Sequence, residues 1–475
     1  MKNLITLLTV LLSITVFSQT FIDSNIALPQ LSFSTSSFGD YDNDGDLDLY
    51  LSGLNSNGAI IGGLYIYDND TYALSTSSNL PIVFLGASEW GDIDNDGDLD
   101  ILIMGNDDSF VDITVVYQNN NDGTFTDLNL NLEPIEQGSV AFVDYNNDTF
   151  LDLSFTGIGT PDRLTKFYTN NGDNTFTELT GINVPGLNIG QIKWADYNND
   201  GFQDFIIAGF DDNTGGTNSF YTELFTNNQD ETFTKSTFNF HKGWLGEIEW
   251  IDYNTDGNID VMITGAGGSG DERFSLMYKN NGDGTFEELD LGFPAVSHSS
   301  LEWQDFDNDG DIDLFITGVT TTPGDGNNVS TIFENDGSGV FTDTALGLFN
   351  TSYFGTADSG DIDGDGKIDI IITGYGGVYV EKTAVYKNTT TLGIDDFNTE
   401  LFTTYPNPTK NGILNINHSL DYNKGQIAVY SLTGVNVYKT DSLKNTLNLS
   451  SLSKGTYILK IRFEDSVIIR KIIIE

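Results

Sequence analysis

The chain has no cysteine, only three histidines, and 20 lysines and arginines against 70 aspartates and glutamates in 475 residues. Without cysteine an exported form has no disulfide framework, so metal ions are the expected staples, and thiolate zinc sites are excluded. The formal net charge of −50 argues against nucleic acid and anionic membranes, which are bound through Lys and Arg. After the apolar run 4–17 no stretch is long enough to span a membrane, and no helical period is sustained. No Ser/His/Asp grouping is visible, and carboxylates are too frequent to single out a glycosidase pair, so a non-enzyme is expected. Disorder is excluded by 12% aromatic residues and recurrent β-branched runs.

What the chain does have is an acidic loop of the form Asp-x-Asp/Asn-x-Asp-(Gly)-x-x-Asp, repeated seven times. The copies begin at Asp40, Asp92, Asp144, Asp196, Asp252, Asp305 and Asp361, with successive spacings of 52, 52, 52, 56, 53 and 56 residues. Such a period marks a repeat architecture in which each unit buries its apolar face against its neighbours. The loops hold 28 of the 70 acidic residues, so much of the charge is concentrated at a few places instead of forming a solvated coat.

Each repeat reads the same way. A short apolar strand ends in an aromatic two residues before the loop: Phe38, Trp90, Phe142, Trp194, Trp250 and Trp303. A second apolar strand follows the loop. A third closes on Tyr/Phe-x-Asn, at Tyr67, Tyr117, Tyr168, Phe225, Tyr278, Phe333 and Tyr386. An Asn/Asp/Gly turn then leads to a fourth strand, as hairpin chemistry requires. Four antiparallel strands per unit, seven times over, predict an all-β fold, a seven-bladed β-propeller. The seventh repeat lacks a fourth strand, and residues 20–29 resemble one; they are expected to close the ring beside Asn388 and remove an exposed edge.

These repeats resemble FG-GAP/VCBS-type calcium-loop repeats, as in integrin alpha chains. The resemblance covers roughly residues 20–390 and implies a propeller with calcium in the hairpin joining the first two strands of each blade.

Calcium takes six to eight oxygen ligands, which alternating carboxylates supply. The expected side-chain ligands of the first loop are Asp40, Asp42, Asp44 and Asp48, with Asp46 offering its carbonyl. Those of the second are Asp92, Asp94, Asp96 and Asp100, with Asp98 in the position of Asp46. The sixth has Asp305, Asp307, Asp309 and Asp313, with Asp311; the seventh has Asp361, Asp363, Asp365 and Asp369. The fourth (Asp196, Asn198, Asp200, Asp204) and fifth (Asp252, Asn254, Asp256, Asp260) carry less charge and should bind more weakly. The third (Asp144, Asn146, Asp148, Asp152) puts Thr149 where the turn glycine belongs. A β-branched residue resists positive φ, so of up to seven calcium sites this is the weakest expectation. An EF-hand is excluded, since Leu51 and Ile103 occupy the position of its bidentate Glu.

The acidic loops and the Asn/Gly hairpins fall on one face of such a propeller. The connections that differ between units fall on the other: 54–63, 158–166, 210–219, 266–273 and 319–330, with 238–246 and 291–300 between units. A rigid scaffold with variation on one side is suited to binding. Trp244 lies outside the repeated aromatic position, beside His241 and Lys242, with His298 in the next inter-unit segment. It either stacks on a sugar ring or plugs the blade junction. Arg163 and Arg273 could hold an anionic ligand or pair with neighbouring carboxylates.

The chain opens like a secretory signal, residues 1–19, cut after Ser18 or Gln19. Residues 389–400 read as a linker. Beyond them the acidic loops vanish, and short strands at 413–417, 425–431, 435–439, 457–463 and 467–474 suggest a small Ig-like β-sandwich over 401–475. Tyr405-Pro406-Asn407-Pro408, Val429-Tyr430-Ser431-Leu432-Thr433-Gly434, Leu452-Ser453-Lys454-Gly455-Thr456-Tyr457 and the terminal Arg470-Lys471-Ile472-Ile473-Ile474-Glu475 resemble the type A C-terminal sorting domain of the type IX (Por) secretion system. The resemblance implies a Bacteroidetes-type bacterium, with the type IX machinery as partner and passage through the outer membrane. The expectation is a monomeric, calcium-binding adhesion or binding module for an extracellular glycan or protein, secreted or held at the cell surface. The alternative is a polysaccharide lyase or hydrolase, marked by His241, Lys242, His298 and an Arg in one pocket.

Overall fold

The computed structural model describes residues 20–211, 220–267, 272–320, 328–353, 355–376 and 380–390, and, in the C-terminal segment, 402–410, 412–418, 425–431, 436–440, 442–463 and 466–474. The signal segment 1–19, most of the linker, and parts of the variable connections (212–219, 268–271, 321–327) lie outside the described residues. Every described element is a β-strand, and contacts divide the chain into two units, 1–390 and 391–475.

In the first unit the acidic loop joins an inner strand to a second strand that is almost entirely buried, for example Ser32–Gly39 to Asp48–Leu54 and Ser297–Gln304 to Asp313–Val319. The second strands carry apolar residues on both faces, as in Asp260–Gly267, because neighbouring sheets cover both sides. Four such sheets have four strands in the order first, second, third, fourth. The second and third repeats share one eight-stranded sheet, joined through the single pair Ile135 and Ile113.

The inner strands lie beside one another in sequence order: Ser32–Gly39, Val83–Gly91, Ile135–Val143, Asn188–Ala195, Ile248–Ile251, Ser297–Gln304 and Ala357–Gly360. The last of them lies against the first, so the series returns to its start in a propeller-like arrangement. The missing fourth strand of the last sheet comes from the N-terminal end, with Phe21, Ile22 and Asp23 pairing antiparallel with Asn388, Lys387 and Tyr386. The apolar clusters lie between consecutive repeats. One joins Leu224 to Val261 and Tyr278, and another joins Leu49 and Tyr72 to Ile362 and Val385 across the closing seam. The repeated tryptophans serve this packing: Trp90 and Trp250 donate from Nε1 to the carbonyls of Ser37 and Lys193 in the preceding inner strands.

One alignment is corrected. Tyr65, not Tyr67, is the equivalent of Tyr117, since Leu49 pairs with Tyr65 as Ile101 pairs with Tyr117. Tyr67 takes the asparagine position. The two tyrosines are two residues apart and share a strand face, so the pattern alone offers both registers.

The C-terminal unit holds a three-stranded and a four-stranded sheet. Leu414, Ile416 and Leu447 of the first share a core with Ile427, Val429, Leu459, Ile461 and Ile472 of the second. The strands Phe402–Tyr405 and Thr446–Asn448 add to the five expected from sequence.

Candidate functional sites: the acidic loops and the channel mouth

The seven loops share one hydrogen-bond scheme. The first Asp turns inward, so that Asp40 accepts from the backbone N–H groups of Asp44 and Gly45, and Asp305 from those of Asp309 and Gly310. The last Asp is buried and accepts from a third-strand N–H, as Asp48 does from Tyr67 and Asp369 from Asn388. Thr149 keeps the scheme, donating to Asp144 at 2.8 Å, but only by adopting φ +81°. The third loop is thus formed despite its threonine, at a cost of about 1–2 kcal/mol for left-handed backbone.

The fourth residue of the loop is also left-handed, and in five repeats it is an asparagine that reaches the next loop. Asn43, Asn95, Asn147, Asn199 and Asn308 donate from Nδ2 to the carbonyls of Gly97, Thr149, Gly201, Gly257 and Gly366. A second tie comes from the asparagine that ends the third strand in six of the repeats. Asn119, Asn170, Asn227, Asn280, Asn335 and Asn388 donate from Nδ2 to the loop of the preceding repeat, at Tyr41, Ile93, Tyr145, Tyr197, Tyr253 and Phe306. These ties bond the loops to one another across six of the seven junctions; at the remaining one, between the last loop and the first, the Leu47 N–H donates to the carbonyl of Ile362.

The donor set fits a hard divalent cation. Carboxylates of Asp40, Asp42 and Asp44 converge, as do those of Asp92, Asp94 and Asp96, of Asp305, Asp307 and Asp313, and of Asp361, Asp363 and Asp365. Asp48 of the first loop is 1% exposed, and its Oδ2 has no hydrogen-bond partner. A buried carboxylate oxygen without a donor is costly unless a cation meets it. Burial and then the neighbouring aspartates push Asp48 up to about 8, and Asp100, Asp204 and Asp369 up to about 7. A divalent ion would relieve both causes.

At the opposite end of the inner strands is a feature that sequence reading missed. Phe33, Leu85, Gln137, Ile189, Leu245 and His298 all have φ between +48° and +56°. Each sits seven residues before its loop; five of them lie at the inner strand's start, where the strand pairing shifts register, and Leu245 lies just ahead of its strand. The following residue is small. A Cβ on Gly138 would lie 1.7 Å from the carbonyl oxygen of Thr156, so glycine is required there. The six left-handed residues encircle a mouth pocket of about 170 Å³. Below it, sharing Ser34, Gly86 and Gln191, runs a channel of about 510 Å³ lined by all seven inner strands.

The channel is acidic. Glu89, Glu247, Glu249, Glu302 and Asp358 face it together with Lys193, which pairs with Glu249 and lies 3.9 Å from Glu247. Burial, opposed by Lys193, lifts Glu89 to about 7; burial and then Asp358 lift Glu302 well above the ordinary carboxylate range.

Of the four ligand candidates, His298 lines the mouth, half-buried, its imidazole pushed down to about 4 by burial and by Arg273. Trp244 packs against Phe210 and Phe220 at 5.3 and 6.3 Å between ring centroids, and its backbone bridges to Ala266. His241 packs on Phe274, and Lys242 pairs with Glu223. Arg273 donates to Ser297, beside His298.

No curated protein matches the chain. Among solved structures it is similar to an Agrocybe aegerita lectin specific for non-reducing terminal N-acetylglucosamine, with 17% identity over 77% of this chain and 89% of that one, TM-score 0.45. It is also similar to the extracellular domain of a putative hybrid two-component system of B. thetaiotaomicron, with 13% identity over 96% of this chain, TM-score 0.40. A third similarity is to PorZ, a surface component of the type IX secretion system of Porphyromonas gingivalis, with 11% identity over 95% of this chain, TM-score 0.43. The matches span 57% and 60% of the latter two chains. The FG-GAP-like repeat family matches residues 92–155, 196–263, 252–316 and 305–372, and the secretion system C-terminal sorting domain matches 403–475. The chain belongs to the FG-GAP-like repeat family and carries a sorting domain that directs it through type IX secretion to the cell surface or the extracellular space.

Proposed function

We propose that the protein is a calcium-stabilised, seven-bladed propeller that binds an extracellular glycan or protein at its channel mouth. An Ig-like sorting sandwich over 401–475 would act only in export. The seven-membered series of inner strands and the pairing of Phe21 with Asn388 support the blade count. One observation carries the binding reading: six equivalent, left-handed positions converge on one pocket while differing in chemistry, from Phe33 and Ile189 to Gln137 and His298. Strained backbone on a fixed scaffold, bearing a different side chain in each repeat, is what a recognition surface requires. The mouth lies at the end of the inner strands away from the acidic loops, so metal and ligand would occupy opposite faces.

A lyase or hydrolase reading needs His241, Lys242, His298 and an Arg together, and these have separate partners apart from His298 and Arg273. The test is a glycan array probed with the calcium-loaded protein, followed by turnover assays on the hits. Binding that is lost in Phe33→Ala and Gln137→Ala, with unchanged melting temperature, is expected. Hits that those substitutions leave intact would move the site elsewhere, and turnover would favour the enzyme.

A further inference from the structure

The residue between the aromatic and the asparagine at the end of each third strand lies beside its own acidic loop. Gln118 donates to Asp94, and Lys279 Nζ lies 3.2 Å from Asp256 Oδ2. In the sixth repeat the position is Glu334, which adds negative charge near Asp307 and Asp309. In the seventh it is Lys387, whose Nζ lies 2.5 Å from Asp363 Oδ2.

The seventh loop has aspartates at the same four ligand positions as the first, second and sixth, but Lys367 stands where those have a fifth aspartate, and the loop holds two ammonium groups. Lys367 pairs with Asp365 at 2.7 Å, and the Lys387 side chain is only 16% exposed. Four carboxylates with two ammonium groups have the same formal charge as four carboxylates with one divalent ion. Lys387 reaches further, to the Tyr67 hydroxyl and to Asp70 at 3.2 Å, and lies 4.9 Å from the centre of the Tyr67 ring. Tyr67 and Asp70 belong to the first repeat. This is the junction that lacks the asparagine tie, because Tyr67 stands where the other six repeats have Asn.

We propose that Lys387 is a resident cation of the seventh loop, taking at Asp363 the place a divalent ion fills elsewhere and joining the last repeat to the first without metal. The inference rests on the calcium reading of the other loops. Asp369 Oδ2, buried and without a partner, leaves the loop a donor for an ion once the lysine is gone.

The test is site-by-site anomalous density from crystals of the full chain soaked in terbium, with calcium stoichiometry measured in solution. At a concentration that fills the first, second and sixth loops, the seventh should stay empty. Lys387→Met should fill it, raise the stoichiometry by one calcium per chain, and make the melting temperature more sensitive to chelator. Gln118→Lys should empty the second loop, which keeps the inference testable if Lys387→Met fails to fold. Terbium in the unaltered seventh loop at the occupancy of the first, or a second loop still filled in Gln118→Lys, would overturn it. Loops one, two and six all empty would instead sink the calcium reading and this inference with it, a pattern distinct from a seventh loop that fills alongside them.

Discussion

The side-chain amide of Asn280 donates to the carbonyl of Tyr197 at 2.7 Å, across 83 residues of chain. The same amide donates to Ile259 at 3.0 Å, and its carbonyl oxygen accepts from Gly282. One buried side chain thus holds its own loop, its hairpin and the loop of the preceding repeat. Asn280→Ala should destabilise by about 1–3 kcal/mol, because buried carbonyls lose their donors. Asn281→Ala, at an exposed neighbour, should stay within about 0.5 kcal/mol. Denaturant unfolding checks both, and equal effects would remove the special role of the tie.

Chelation should lower the melting temperature markedly, since the buried carboxylates of the loops are then left to desolvation and mutual repulsion. Asp48→Asn removes one such charge and should shrink the difference between chelated and calcium-loaded protein. A melting curve indifferent to excess chelator would refute the metal role.

The channel predicts a pH dependence that persists with calcium saturating. Glu89 and Glu302 start from 4.5, and folding raises Glu89 to about 7 and lifts Glu302 well above its starting value, in both cases chiefly through burial. The folded state therefore holds protons that the unfolded chain has released. Their contribution to stability is fully present below about 4.5 and is lost as pH rises through about 7. The melting temperature should fall across that window, and Glu302→Gln should flatten the slope. A slope identical in the variant would exclude Glu302 as its source.

Ile189 is β-branched and left-handed at φ +48°. Ile189→Gly relieves that backbone and should stabilise by up to about 1 kcal/mol, while weakening whatever binds at the mouth. Gly138→Ala should do the reverse to the fold, since its new Cβ meets the Thr156 carbonyl. A destabilised Ile189→Gly would mean that apolar contact outweighs strain there.

Deleting 401–475 should trap the chain in the periplasm, as its sorting domain implies; fractionation of cells expressing the truncation checks this. Normal export would exclude the sorting role.

The loops, the four-strand repeat and the N-terminal closing strand were legible in sequence because each is written in adjacent residues with a fixed period. The rest depends on distant partners or on positions whose letter changes. Asn280 shows its role only beside Tyr197, in the preceding repeat. Phe33, Leu85 and Ile189 are not residue types that announce positive φ; the small residue after them was the available signal. Apart from Glu247, the channel charge comes from the position three before each loop, where Ser37, Glu89, Ala141, Lys193, Glu249, Glu302 and Asp358 share no common chemistry. Nothing in the sequence around Lys387 marks its contacts, because Asp363 and Asp70 lie 24 and 317 residues away.

The pairing of Phe21 with Asn388 has a consequence for biogenesis. Phe21 can take its place only after Asn388, 367 residues later in the chain, has been made. The seam between the last sheet and the N-terminal strand is therefore the last contact of the first unit that can form, whatever order the other sheets fold in.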